Sequence, residues 1–145
     1  MAYKVVINIS VGNFLLSAKA EKLFWERKLG KEIFVYKYNS ENDNYIKVSD
    51  LSHVSEWNVH FTVEDYGKIA DNIDELIFGK VKRHDPVLVQ VVEELGSEAN
   101  VEASNLKVIE IPCPMYKIID CYGKESIKTP VSEDWITIEE DEHDN

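Results

Sequence analysis

The segment from Asp85 to Asn100 constrains the fold more than any other part of this chain. Asp85 is a favourable N-cap residue, and Pro86 suits the first helical position, where a missing backbone amide costs nothing. Apolar residues recur behind them at helical spacing and form one face: Val87, Leu88, Val91, Val92, Leu95 and Ala99. The pattern predicts an amphipathic helix that runs to about Asn100 and depends on packing for its stability.

Two further helices are predicted. Ser17 is a good N-cap and Gly30 a natural C-terminal stop, so the first helix is expected over Ala18–Leu29. From Tyr66 to Ile77, apolar residues again recur at spacings of three and four, despite Gly67. This stripe predicts another helix.

Short apolar or alternating runs predict strands around these helices. The runs are 3–10, 33–38, 45–48, 57–63, 106–111, 116–122, 125–128 and 135–138. Because strands and helices are mixed rather than regularly alternating, we expect an α+β fold, in which a mixed, largely antiparallel sheet packs with two or three helices. Residues 1–138 are expected to form a single domain.

The charge of the chain limits its partners. It has 145 residues, with 16 basic and 27 acidic side chains and a formal net charge of −11. Such a field repels polyanions, so direct binding to nucleic acid is disfavoured. Residues 139–145 hold five of the acids and no Lys or Arg, which is typical of a solvated acidic tail. The alternative is an arm that docks a basic partner.

The sequence favours a cytoplasmic protein that does not span a membrane. Its apolar runs are too short for a transmembrane helix. The N-terminus has no basic region followed by a small-residue cleavage site, so secretion is not expected. Cys113 and Cys121 are expected to be reduced thiols, with Cys121 in the core.

No pattern for catalysis, metal binding or cofactor binding is present. The four histidines and two cysteines do not have the spacing of a zinc site. The Gly-x-Ser-x-Gly elbow and the Rossmann and P-loop glycine patterns are absent. We therefore expect a binding protein rather than an enzyme.

The first candidate ligand-binding segment is the turn that follows the first strand. Gly12, Asn13 and Phe14 lie just before the predicted N-terminus of a helix, where free backbone amides suit an anion. Asn13 offers a side-chain amide, and Phe14 offers a face for stacking. The alternative is an ordinary turn with Phe14 in the core.

The second candidate is the most basic stretch of the chain, Lys80–Asp85. Arg83 immediately precedes the helix that Asp85 caps, so its planar guanidinium and the positive helix end together favour a phosphate group. The alternative is an Arg–Asp arrangement that only fixes the start of the helix.

Several of these motifs resemble one group of small phage proteins. They are the R-x-D-P helix start at Arg83–Pro86, the strand that ends in Ile111–Pro112, the segment Tyr116–Glu125, and the strand, turn and serine-capped helix of residues 5–18. The group is similar to the Thoeris anti-defence sponges, which sequester cyclic ADP-ribose immune signals without cleaving them. Residues 39–79 are not covered and form a candidate insertion.

The resemblance implies a homo-oligomer in the host cytoplasm that binds an anionic cyclic-nucleotide-type signal. By this resemblance, Arg83 would hold phosphate, Phe14 would stack and Asn13 would read polar edges, with Gly12 and Asp85 beside them. Two features depart from the group. Gly12 is followed by Asn13 rather than a second glycine, and Glu125–Ile138 lacks the His-Arg pair that the group often carries.

Two other functions are compatible with the sequence. The charge and the acidic tail suggest an interaction protein that inhibits a basic host protein, as a nucleic-acid mimic would. An enzyme that acts on a nucleotide is the weakest hypothesis, because no catalytic constellation is visible.

Overall fold

A computed structural model describes residues 3–52, 54, 58–101 and 104–130 of the chain. Within these residues lie eight β-strands and two α-helices. The strands are β1 (Tyr3–Asn8), β2 (Phe34–Asn39), β3 (Asn44–Lys47), β4 (His60–Thr62), β5 (Ile69–Ala70), β6 (Leu106–Ile111), β7 (Lys117–Cys121) and β8 (Lys124–Lys128), and the helices are α1 (Ala18–Leu29) and α2 (Pro86–Leu95). All strand pairs are antiparallel, and the prediction of an α+β fold is confirmed.

Strand β1 is buried on both of its faces. It pairs with β6 in a register from Tyr3 opposite Ile111 to Asn8 opposite Leu106. Val6 belongs to the main core with the helices, whereas Val5 and Ile7 belong to a second cluster against which side chains of the β7–β8 hairpin pack. The run of β-branched residues in β1 therefore fits a strand covered from both sides.

A second sheet has the strand order β4-β2-β3-β5. Val35 of β2 and Phe61 of β4 lie opposite each other in the register and are both almost completely buried. They pack in the main core with Phe24 of α1 and Leu88 of α2. This sheet and the two helices thus share one hydrophobic core.

Both helices begin where their caps predict. The Ser17 hydroxyl accepts a hydrogen bond from the Ala20 amide at 3.1 Å, and Gly30 ends α1 with a φ of 65°. The Asp85 carboxylate accepts one from the Val87 amide at 2.8 Å. Helix α2 ends earlier than predicted, at Leu95, and a 3₁₀ turn continues it over Gly96–Ala99. Across the described ranges, no helix has the length and apolar character needed to cross a membrane.

The helix predicted from Tyr66 to Ile77 is wrong. Gly67 has a φ of 84°, which a right-handed helix does not allow, and the amide of Leu76 donates to the carbonyl of Phe61. Ile69 and Ala70 form β5 and pair with β3. The apolar residues do not share a buried face, since the side chain of Ile69 is 62% exposed. In this segment, pairing with another strand determines the backbone conformation, and the helical spacing of apolar residues does not.

The placement of Cys121 in the core is also wrong. Cys121 ends β7 beside the hairpin turn and is exposed, and both it and Cys113 are free thiols. Only one face of the short β7–β8 hairpin packs against the β1–β6 pair, so alternate side chains of β7 point to solvent. Trp57, the predicted strand 135–138 and the acidic tail 139–145 lie outside the described residues.

Candidate functional site

A cleft of about 570 Å³ lies between the turn after β1, helix α1, strand β4 and the segment that leads to α2. Most of its walls are apolar. The lining residues are Asn13, Phe14, Leu15, Glu21, Val59, Phe61, Glu75, Leu76, Ile77, Phe78, Gly79, Val81 and Arg83. Three of the five predicted site residues, Asn13, Phe14 and Arg83, therefore line one cavity, although Arg83 is far from the other two in the chain.

Phe14 and Arg83 contact each other directly. The guanidinium carbon of Arg83 lies 3.6 Å from the centre of the Phe14 ring, which is a close cation–π contact. Phe14 is half-buried and packs against the main core. One face of the ring is thus covered by arginine, and packing against the core fixes the position of the ring.

Arg83 is also bound to a buried carboxylate. Its Nη1 and Nη2 atoms donate to the two carboxylate oxygens of Glu125 at 2.7 and 2.9 Å, and Nη1 donates to the carbonyl of Val6 at 3.3 Å. The side chain of Glu125 is only 7% exposed, and Oε1 also accepts from the Asn8 amide at 2.8 Å. A bidentate pair of this kind balances the arginine charge and ties the segment before α2 to β1 and β8.

Asn8 fixes the turn that carries Asn13 and Phe14. Its side chain is fully buried, and Nδ2 donates to the carbonyls of Ser10, Asn13 and Gly123. Sequence reasoning missed Asn8. A polar residue inside an otherwise β-branched run was the available signal, because a buried amide requires hydrogen-bond partners.

Gly12 does not line the cleft. Its amide donates to the carbonyl of Tyr122 at 2.9 Å, in the β7–β8 turn. A Cβ atom on Gly123 would lie 1.1 Å from the Gly12 carbonyl oxygen, so the two backbones approach as closely as glycine allows. The Gly12 amide is engaged in the fold and is not available to an anion.

The N-terminus of α1 is occupied as well. The Ser17 amide donates to the carbonyl of Ala99 at 2.9 Å, the Ala18 amide donates to the carbonyl of Val54 at 2.8 Å, and the Ala20 amide donates to the Ser17 hydroxyl. The expectation of several free amides at this helix end is therefore not met.

Asp85 lies outside the cleft and serves α2. Besides the Val87 amide, its carboxylate accepts a hydrogen bond from Lys28 Nζ at 2.6 Å. Burial is the largest single influence and acts to raise the pKa of Asp85, but Lys28 and the backbone amides of α2 outweigh it, so the pKa is lowered from 3.8. The alternative to phosphate binding was an Arg–Asp arrangement at the start of the helix; the structure pairs Arg83 with Glu125 instead.

Two carboxylates that sequence reasoning missed line the cleft. Glu21 is buried, with 4% exposure, and its Oε2 accepts a hydrogen bond from Trp25 Nε1 at 2.7 Å. Glu75 is partly exposed and contacts His60 Nδ1. Glu21 and Trp25 are one helical turn apart, and this spacing was a local signal for the role of Glu21. The position of Glu75 depends on the path of the loop, for which the sequence has no local signal.

The described residues contain no group of three or more His, Cys, Asp or Glu side chains placed to hold a metal ion. The cleft is lined by apolar side chains, one amide, two carboxylates and one paired guanidinium. That set can stack a flat ring and exchange a few hydrogen bonds with it.

Comparisons with known proteins give no match to any protein-family model, curated protein or solved structure.

Proposed function

We propose that this protein binds a small, ring-containing molecule in the cleft and holds it without cleaving it. The ligand type that the sequence resemblance implies is a cyclic ADP-ribose-type immune signal, and the protein would act as its sponge. One observation carries the proposal: Asn13, Phe14 and Arg83, chosen from the sequence as ligand contacts, line the same cavity.

The size and lining of the cleft support a small-molecule ligand. About 570 Å³ is within the usual range of small-molecule sites, which is roughly 300–1,000 Å³. Phe14 and Phe78 are half-buried and supply aromatic surface from the turn after β1 and from the segment before α2. Stacking on such rings adds about 0.5–1.5 kcal/mol per pair beyond the area that is buried.

The role of Arg83 in this proposal differs from the phosphate-binding role that the sequence suggested. Because Glu125 balances its charge, Arg83 attracts a phosphate less than an unpaired arginine would. Its contact with Phe14 makes it a positioning residue for the stacking ring. Most of the affinity is therefore expected from the ring of the ligand.

Retention rather than turnover is consistent with the lining. The described lining residues include no Ser, Thr, Cys, Lys or His, and both lining carboxylates already have partners, since Glu21 binds Trp25 Nε1 and Glu75 contacts His60. A sponge needs only an equilibrium that favours the bound signal.

The test is isothermal titration calorimetry with the cyclic ADP-ribose isomers. We expect one isomer to bind, and we expect Phe14→Leu to weaken it about tenfold, since the loss of stacking costs about 1.4 kcal/mol at most. Tyr38→Ala, an exposed aromatic of the second sheet, is the matched control and should bind normally. Mass spectrometry of ligand released by heat should recover it intact.

The proposal fails if no isomer produces heat with pure protein. Light scattering on the same sample measures the oligomeric state, because the resemblance implies subunit contacts. Recovery of a cleaved product would replace the sponge with an enzyme.

The alternative of an acidic interaction protein is not favoured by the described surface. Three exposed acids of helix α2 and the turn after it are paired with bases: Glu93 with Lys4, Glu94 with Arg27, and Glu98 with Lys19. This surface is therefore close to charge balance and does not imitate a row of phosphates.

A further inference from the structure

The outer face of the β7–β8 hairpin, which points away from the β1–β6 pair, is basic. Residues directly opposite each other in an antiparallel pair share a face of the sheet. The three pairs on the outer face are Lys117 with Lys128, Ile119 with Ser126, and Cys121 with Lys124. All six side chains are exposed. This face therefore presents three lysines and no acid, in a chain with a net charge of −11.

The charge of the outer face is not balanced by the part of the chain that the structure describes. Lys117 lies directly opposite Lys128, and like charges in that position destabilise a strand pair. No ion pair between described residues includes Lys117 or Lys124. Ile119, which is 45% exposed, lies between the lysines of the two ends. The face thus matches a segment in which acids flank a short apolar stretch.

The C-terminal segment of this chain has that order of residues. Residues 131–145 contain seven acids and no Lys or Arg. Glu133 and Asp134 come first, the stretch 135–138 contains Trp135 and two isoleucines, and residues 139–142 are all acidic. The described residues end at 130, two positions after the end of β8 at Lys128. The segment therefore begins at the end of the hairpin where Lys117 and Lys128 lie.

The lengths also agree. A strand rises about 3.3 Å per residue, so Lys128 and Lys124 are about 13 Å apart along β8, and residues 135–138 in an extended conformation cover about the same distance. Residues 131–134 are enough for a four-residue reversal of direction. Because so short a connection keeps the segment near the face, docking within one chain is favoured over docking between chains.

We propose that residues 131–145 fold back over the outer face of the β7–β8 hairpin. The acids at 133 and 134 face Lys117 and Lys128, the stretch 135–138 covers Ile119, and the acids at 139–142 reach Lys124. The acidic tail thus has its basic partner in its own chain. The opposite face of β8 carries Glu125, which holds Arg83, so the docked segment supports the strand that positions this arginine.

The first test is zero-length carbodiimide cross-linking of the full chain, followed by peptide mass spectrometry. An equal mixture of ¹⁵N-labelled and unlabelled chain distinguishes links within one copy from links between copies. Lys37, an exposed lysine of β2, is the control. We expect the acids of residues 131–145 to link to the hairpin lysines at least about fivefold more than to Lys37, since a few surface ion pairs favour docking by about this factor. The links should join peptides of one copy and become rarer at high salt.

The second test uses Cys121 as a probe of the outer face. Cys113→Ser leaves it as the only thiol, and its reaction with neutral iodoacetamide measures how far the face is covered. We expect Lys117→Gln/Lys124→Gln to accelerate this reaction about twofold or more, because it weakens the docking. Loss of positive charge near a thiol by itself disfavours the thiolate and slows the reaction, so acceleration reports uncovering. Lys31→Gln/Lys37→Gln, which removes the same charge from exposed positions elsewhere, should leave the rate unchanged.

Three results would each overturn the inference. The first is a tail that links to Lys37 as often as to the hairpin lysines. The second is a set of links that join only different copies, which would make the tail of a second copy the occupant of the face. The third is a hairpin variant in which Cys121 reacts no faster. The proposed binding function does not depend on any of these results.

Discussion

Arg83 shows how one side chain can have two roles that compete. Its guanidinium stacks on Phe14 in the cleft and is held on the other side by Glu125 and the Val6 carbonyl. The pair is partly shielded from water, with side-chain exposures of 24% for Arg83 and 7% for Glu125. Removing either partner leaves a charge with poor solvation, which is costly even where the intact pair adds little stability.

We predict that Glu125→Gln lowers the free energy of unfolding by about 3 kcal/mol, because it removes the charge partner of Arg83 and weakens the bond to the Asn8 amide. Urea unfolding followed by circular dichroism measures the loss. Glu94→Gln is the matched control, since the Arg27–Glu94 pair is exposed and little change is expected. Equal losses in the two variants would show that the buried pair has no special role.

Helix α2 depends on its first turn. Asp85 caps the helix, Pro86 occupies the first position, and Lys28 of α1 binds the capping carboxylate. The cap therefore joins both helices in addition to satisfying a free amide. Because the pKa of Asp85 is lowered in the folded protein, its contribution is present above the ordinary value of 3.8 and is lost as the pH falls through the folded value.

We predict that the main effect of Asp85→Asn is on how the free energy of unfolding depends on pH, rather than on its magnitude at one pH. Asn still caps the helix but cannot titrate, so the wild type should be more stable at pH 7, and the difference should disappear in acid, below the ordinary pKa of 3.8. Asp85→Ala should cost about 1 kcal/mol at neutral pH. The measurement is urea unfolding at several pH values. A wild-type advantage over Asp85→Asn that persists unchanged to pH 2 would contradict the role of the charge.

The whole molecule consists of layers around β1. Helices and the second sheet share the main core on one side, and the β7–β8 hairpin packs against the β1–β6 pair on the other. Val59 and Phe61 belong to residues 39–79, which the sequence resemblance does not cover, yet both are in the main core. These residues are therefore expected to unfold with the rest.

We predict a single unfolding transition, with coincident tryptophan fluorescence and far-UV circular dichroism. Phe61→Ala should lower the free energy of unfolding by about 3–5 kcal/mol and shift both signals equally, since it leaves a cavity in the shared core. Ile69→Ala is the control, because Ile69 is 62% exposed. A separate early transition in Phe61→Ala would show that residues 39–79 form an independent unit.

The sequence by itself determined the elements whose signals are local. The capping residues predicted where each helix starts or ends, because caps act on amides and carbonyls only a few positions away. These residues are Ser17, Gly30, Asp85 and Pro86. Apolar and alternating runs predicted most strands, because these signals are local too. The sequence also predicted Asn13, Phe14 and Arg83 as candidate contacts, but not their arrangement.

Only the tertiary structure decided the path of residues 66–77 and the chemistry of the cleft. The apolar spacing in that segment fits a helix, but β3 supplies partners for its backbone that no local pattern shows. Arg83 and Glu125 are 42 positions apart, so a charge that appears free in the sequence is neutralised by the fold. Long-range contacts of this kind select among locally acceptable conformations, which is why the role that we propose for Arg83 differs from the one that the sequence suggests.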